Sequence, residues 1–98
     1  MDNDATMLEQ MGTALTNLQI KYRASNLADR MALRPDLDKL LQQYTDYQAR
    51  LLNEGIVTTD DDLAAMAQIK TDIDKAAQKE ELAEAIINTA AFIAKKMA

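Results

Sequence analysis

The sequence predicts an all-α fold, a small antiparallel bundle of about four helices in a single domain spanning residues 1–98. Three observations carry this expectation. Only two glycines and one proline occur in the chain, too few turn formers for a sheet protein. Apolar residues recur at spacings of three and four along most of the sequence, the period of a helix face. Hydrophobic residues make up 48% of the composition but aromatics only 4%, so the core must be aliphatic. A domain this short buries only roughly 60–65% of the surface its unfolded chain exposes. A partner that covers further apolar surface would therefore add to its stability.

The first helix is expected over about residues 4–23. Leu8, Met11, Leu15, Leu18 and Tyr22 share one face, and Asn3 or Asp4 can cap the start. Gly12 weakens this helix without ending it. The phase changes at residues 23–26, Arg-Ala-Ser-Asn. Ser25 or Asn26 can cap a short helix over 26–33 that carries Leu27, Ala28 and Met31, with Asp29 three residues beyond Asn26. A bent continuation of the first helix is the alternative. Pro35 disfavours helix at Arg34 and suits the first position of a new helix, so the next element is expected over 35–54. Asp36 and Asp38 then fall in its first turn. Its stripe is Leu37, Leu40, Leu41, Tyr44, Tyr47 and Leu51, Asp46 and Arg50 are spaced as an ion pair, and Gly55 fits a left-handed end.

The segment NEGIVTTDDDL, residues 53–63, holds the one dense cluster of acid. Thr59 and Asp62 have the spacing of an N-cap and its N3 partner, and Thr58 with Asp61 offers the same box one residue earlier. All three aspartates then face the positive end of a helix over 60–77. A calcium loop instead places its acids on alternate positions with glycine sixth and glutamate twelfth, a pattern absent here. Leu63, Met66, Ile69, Ile73 and Ala76 form the stripe of that helix, with Lys70 and Asp74 as a second i,i+4 pair. The run from Gln78 to Glu81 has no apolar residue, which predicts a break before a last helix over 80–97. One unbroken helix is the alternative. The last stripe is Leu82, Ile86, Thr89, Ile93 and Met97, but Ile87, Ala90, Ala91 and Phe92 make this helix apolar on more than one face. Such a helix is either central to the bundle or meets another chain.

The chemistry available to the chain is narrow. It has no cysteine and no histidine, which removes disulfides, thiolate metal sites, the commonest general base and every Ser-His-Asp or Cys-His arrangement. There is no glycine-rich phosphate loop. Glu80, Glu81 and Glu84 lack the Glu-x-x-His partners of a diiron site and read as a solvated face. The net charge of −5 argues against a phosphate backbone or an anionic membrane as partner. The only basic doublet, Lys95 and Lys96, suits the last turn of a helix. The acidic, polar start MDNDATMLEQ is unlike a signal peptide, and no apolar run reaches the roughly 20 residues of a membrane span. The expectation is a cytoplasmic protein. Tyr22, Tyr44 and Tyr47, each an apolar body with a polar tip, belong either to the rim of the core or to an interchain surface.

The stretch PDLDKLLQQYTDYQARLLNEGIVTTDDDLAAMAQIKTDIDKAAQKEELAEAIINTAAFIAKKM resembles the YlbF/YmcA/YheA family, small helical proteins of Gram-positive bacteria, and looks closest to its short cysteine-free YheA-like branch. The likeness lies in the order of parts: a helix with Leu-Leu-x-x-Tyr-x-x-Tyr-Gln-x-x-Leu, a turn of glycine, threonine and acids, and a final isoleucine-rich helix. It runs from about Met7 to Met97. The resemblance implies an all-helical protein that assembles with itself or with related chains, in a family whose members include non-enzymatic regulators. A cysteine-bound iron–sulfur cluster associated with some members cannot be carried over to this chain. The expected function is thus a non-enzymatic protein-binding regulator or adaptor without cofactor or metal. It would form a homodimer or higher oligomer through Leu37, Leu40, Tyr44, Tyr47 and Leu51, and would bind protein rather than nucleic acid or membrane. Two alternatives stand beside it. RPDLDKLLQQYTDYQARL also resembles the proline turn and tyrosine-bearing helix of type III secretion needle subunits, and a small phage-type inhibitor fits the same composition.

Overall fold

The computed structural model describes residues 2–98. All its regular elements are helices: α1 Asn3–Ala24, α2 Leu27–Asn53, α3 Asp60–Lys75 and α4 Lys79–Met97. Asp2 starts α1, its carboxylate accepting from the Asp4 N–H at 3.0 Å. Asn3, one of the two expected caps, instead donates its amide to Thr58 O and to the Asp60 carboxylate. Asn26 caps α2 as expected, accepting from the Asp29 N–H at 2.8 Å.

The expected helices over 26–33 and 35–54 are one element of 27 residues, with Pro35 in its interior. A proline there removes one backbone hydrogen bond and costs about 3 kcal/mol. Two features offset it. Pro35 and Met31, whose carbonyl loses its donor, are both exposed, so water can reach the orphaned oxygen. Leu33 and Leu37, on either side of the proline, are both buried and hold the two halves on one packed face. Asp36 and Asp38 therefore sit mid-helix rather than in a first turn. At about 1.5 Å per residue α2 is about 40 Å long, and the molecule's longest dimension is also 40 Å.

Gly55 ends α2 with φ 77°, its N–H bonded to Leu51 O at 3.1 Å. The expected break before α4 is present, with α3 ending two residues earlier than a helix to residue 77 would. Lys21 of α1 explains where α3 stops. Its ammonium donates to Asp74 O at 2.6 Å and to Ala76 O at 2.7 Å, so another helix satisfies carbonyls that α3 leaves open. The i,i+4 pairs expected at Asp46–Arg50 and Lys70–Asp74 give way to other partners. Arg50 lies 3.5 Å from Glu54 and donates to Met97 O, while the Asp74 carboxylate accepts from Asn17.

These contacts also define the topology. Neighbours in sequence run antiparallel. Helices α1 and α3 run parallel, joined at their starts by Asn3–Thr58 and near their ends by Lys21–Ala76. Helices α2 and α4 also run parallel, with Arg50 reaching Met97. The closest helix approaches are within these two parallel pairs. Between the pairs lies the core: Met7, Met11, Leu15 and Leu18 of α1, Met66 and Ile73 of α3, the α2 stripe, and Leu82, Ile86 and Ile93 of α4.

Candidate interaction surface

The structure places the five residues expected to bind a partner against the chain's own core. Leu37, Leu40, Tyr47 and Leu51 are buried, and Tyr44 is half-buried against them. The stripe on α2 finds its apolar neighbours inside one molecule because α4 lies along α2, α1 also meets it, and their buried side chains join one core with those of α3. Of the two readings of the tyrosines, Tyr47 takes the core and Tyr44 its rim. The Tyr44 hydroxyl lies over Gly12, where an added Cβ would sit 3.5 Å from it. Tyr22 donates to Arg30 O at 3.3 Å and ties α1 to α2.

One end of the molecule gathers the starts of α1 and α3 with the ends of α2 and α4. Thr59 and Asp62 form the reciprocal capping box there, at 3.1 and 2.9 Å. Lys96 closes the same corner, donating to Val57 O and pairing with Asp62 at 2.6 Å with both side chains largely covered. The Lys96 ammonium holds the Asp62 carboxyl below its usual range, and the Thr59 N–H adds to this. Buried Thr58 donates to Asp4 at 2.6 Å. Tyr47 lies beneath, and its hydroxyl has no hydrogen-bond partner. Burial pushes its phenol up; nearness to Thr58 opposes this, and the Asp4 and Asp62 carboxylates reinforce it. The acids here cap, pair and anchor. Among the described residues, no group of three or more acids is placed to hold a metal ion.

The side of the α2–α4 pair differs. An open groove of about 280 Å³ runs between the two helices. Its floor is Leu40 and Ile86, its α4 wall is Ile87, Ala90, Ala91 and Ala94, and its α2 wall is Asp36, Lys39 and Gln43. Ile87 is 58% exposed, and the Gln43 Oε1 is buried with no donor. The α4 half was visible in the sequence as a second apolar face. The α2 half was not, because Asp36, Lys39 and Gln43 look like ordinary solvent-facing residues until α4 is laid beside them.

No helix among the described residues is long and apolar enough to cross a membrane. No family model, curated protein or solved structure matches this chain.

Proposed function

We propose that this chain is a non-enzymatic, cytoplasmic protein-binding module that pairs with a second copy of itself through the α2–α4 face, in the manner the YlbF/YmcA/YheA resemblance implies. The observation that carries the reading is the exposed Ile87 ridge beside a hollow of alanines on the same helix. A ridge and a hollow on one surface are self-complementary. A two-fold axis lets Ile87 of each copy enter the Ala91–Ala94 hollow of the other, the isologous geometry of most dimers. Asp36 and Lys39 on the α2 rim carry opposite charges, so the same axis can set each against its opposite. Gln43 gains a donor for its orphaned oxygen. Helix α4 is about 28 Å long. A face two helices wide along that length is of the order of the roughly 800 Å² per partner that stable interfaces use.

Light scattering coupled to gel filtration at high micromolar concentration tests this. The expected result is dimer mass for the wild type and monomer mass for Ile87→Asp, with helicity unchanged because Ile87 lies outside the core, and with Tm lowered only by the lost association. Wild type running as a monomer sinks the reading. A dimer that survives Ile87→Asp assigns self-association to another face.

A further inference from the structure

On the opposite side of α2, facing α1, lies a second groove of about 350 Å³ with a different character. The chain is acidic overall and has four arginines, yet three of them, Arg23, Arg30 and Arg34, line this one groove. Arg30 is central. Its Nε is buried and has no acceptor, a state that a bound anion would relieve. Tyr22 holds the Arg30 carbonyl and so fixes the backbone from which that guanidinium extends. Arg34 has only a long contact to Asp38, 3.6 Å between groups that are 72% and 66% exposed, a pair too solvated to occupy its fork. Arg23 has no carboxylate within ion-pair distance among the described residues. Three guanidiniums against the one carboxylate of Asp38 leave two positive charges in the groove. Leu37 and Leu41 supply an apolar wall beside them.

We infer that the α1–α2 groove binds the phosphate monoester group of an organic ligand, held by Arg23, Arg30 and Arg34. Planar guanidinium forks match the oxygens of a phosphate two at a time. A monoester carries close to two negative charges at neutral pH, matching the surplus in the groove, whereas a diester carries one. The leucine wall favours a carbon skeleton over the bare ion. The cluster leaves little trace in the sequence because Arg23 lies on α1 and Arg30 and Arg34 on α2. The single visible signal was the i,i+4 repeat of Arg30 and Arg34.

The test is nitrogen-15 NMR of the arginine Nε–H resonances at constant ionic strength, titrating phenyl phosphate, inorganic phosphate and dimethyl phosphate separately. Phenyl phosphate is expected to give a saturable shift of the Arg30 signal at millimolar concentration, roughly tenfold tighter than the diester. The conservative Arg30→Lys, which keeps the charge but loses the fork, should weaken binding by a similar factor. Arg23→Gln, on the exposed rim, gives an independent loss with no threat to the fold. Binding of inorganic phosphate as tight as the phenyl ester supports the oxyanion site and makes the free ion its occupant. No saturable shift with either dianion, or equal affinity for the diester, overturns the inference. Ile87→Asp should leave the titration unchanged, so failure here and failure of the dimer are separate results.

Discussion

The two parallel helix pairs are finished to different degrees. The α1–α3 pair is tied near both ends by its own side chains: Asn3 reaches Thr58 and Asp60, while Asn17 and Lys21 reach Asp74 and Ala76. The α2–α4 pair has one such tie, Arg50 to Met97. Exposed large apolar side chains follow the same division. Leu27, Met31 and Leu52 lie on α2 and Ile87 on α4, against Ile20 alone on the first pair. A helix pair whose polar ends are satisfied and whose apolar faces are covered needs nothing further. One with a long exposed seam has surface to offer. The difference teaches that exposed apolar surface in so small a bundle collects on the pair with fewer polar ties between its helices.

The comparison breaks most severely at Tyr47, where the second pair meets the polar end of the first. Tyr47→Glu puts a carboxylate into a fully buried site beneath Asp4 and Asp62. It is expected to cost at least about 3–5 kcal/mol and to abolish helicity by circular dichroism. Retention of a cooperative thermal transition near the wild-type Tm would move Tyr47 out of the core. Ile87→Asp, on the seam, is the counterpart that leaves folding intact.

Next in size is Lys21. One ammonium satisfies two carbonyls at the end of α3, and hydrogen bonds from charged donors are worth more than neutral ones. Lys21→Met keeps the apolar stem and removes both bonds. It should cost about 2 kcal/mol, a fall in Tm on the order of 10 °C. Arg50→Met, the matching change on the second pair, removes one exposed hydrogen bond between helices and a solvated ion pair with Glu54, and should cost well under half as much. Equal losses would erase the asymmetry between the pairs.

The capping box comes third. Thr59→Ala should cost about 1 kcal/mol by urea denaturation. Asp62 ties this corner to pH. Its folded-state pKa lies below the unfolded value of about 4. Its contribution is therefore complete above that unfolded value and is lost as pH falls through the lower folded one. Asp62→Asn should remove that part of the acid dependence, and an unaltered acid titration of stability would detach Asp62 from Lys96.

Much of the fold was legible because its signals are local. The stripes on α1, α3 and α4, the Asn26 and Thr59 caps, the Gly55 stop and the gap before α4 all follow from period and capping chemistry within a few residues. Pro35 was misread for the same reason: the local rule ends a helix there, while the packing of Leu33 and Leu37 that carries α2 through it is tertiary. The stripe from Leu37 to Leu51 was correctly seen as apolar, but its length suggested more surface than one chain could cover. Two parallel pairs meeting over one shared core is a solution that periodicity does not encode. The partners of Lys21, Arg50 and Lys96 lie 34 to 55 positions away along the chain and leave no local trace. Of the candidate surface, Ile87 and Ala91 were visible as a second face on the last helix, and the α2 wall emerged only once the two helices were set side by side.

The smallest expected effect lies on the seam between the pairs, at Gly12. Glycine inside a helix costs about 0.5–1 kcal/mol relative to alanine, because the unfolded chain loses more freedom on ordering. Nothing in the backbone of α1 requires glycine there, since its φ is ordinary for a helix. The added methyl would meet the Tyr44 hydroxyl at 3.5 Å, an ordinary van der Waals distance. Gly12→Ala is therefore expected to stabilise the fold by about 0.5 kcal/mol or slightly more, a rise in Tm of a few degrees. It should leave the oligomeric mass unchanged, because α1 takes no part in the α2–α4 face. Differential scanning fluorimetry with light scattering reads both. A clear loss of stability would mean that Tyr44 cannot yield at this contact, making Gly12 the point that sets how closely the first pair approaches the second.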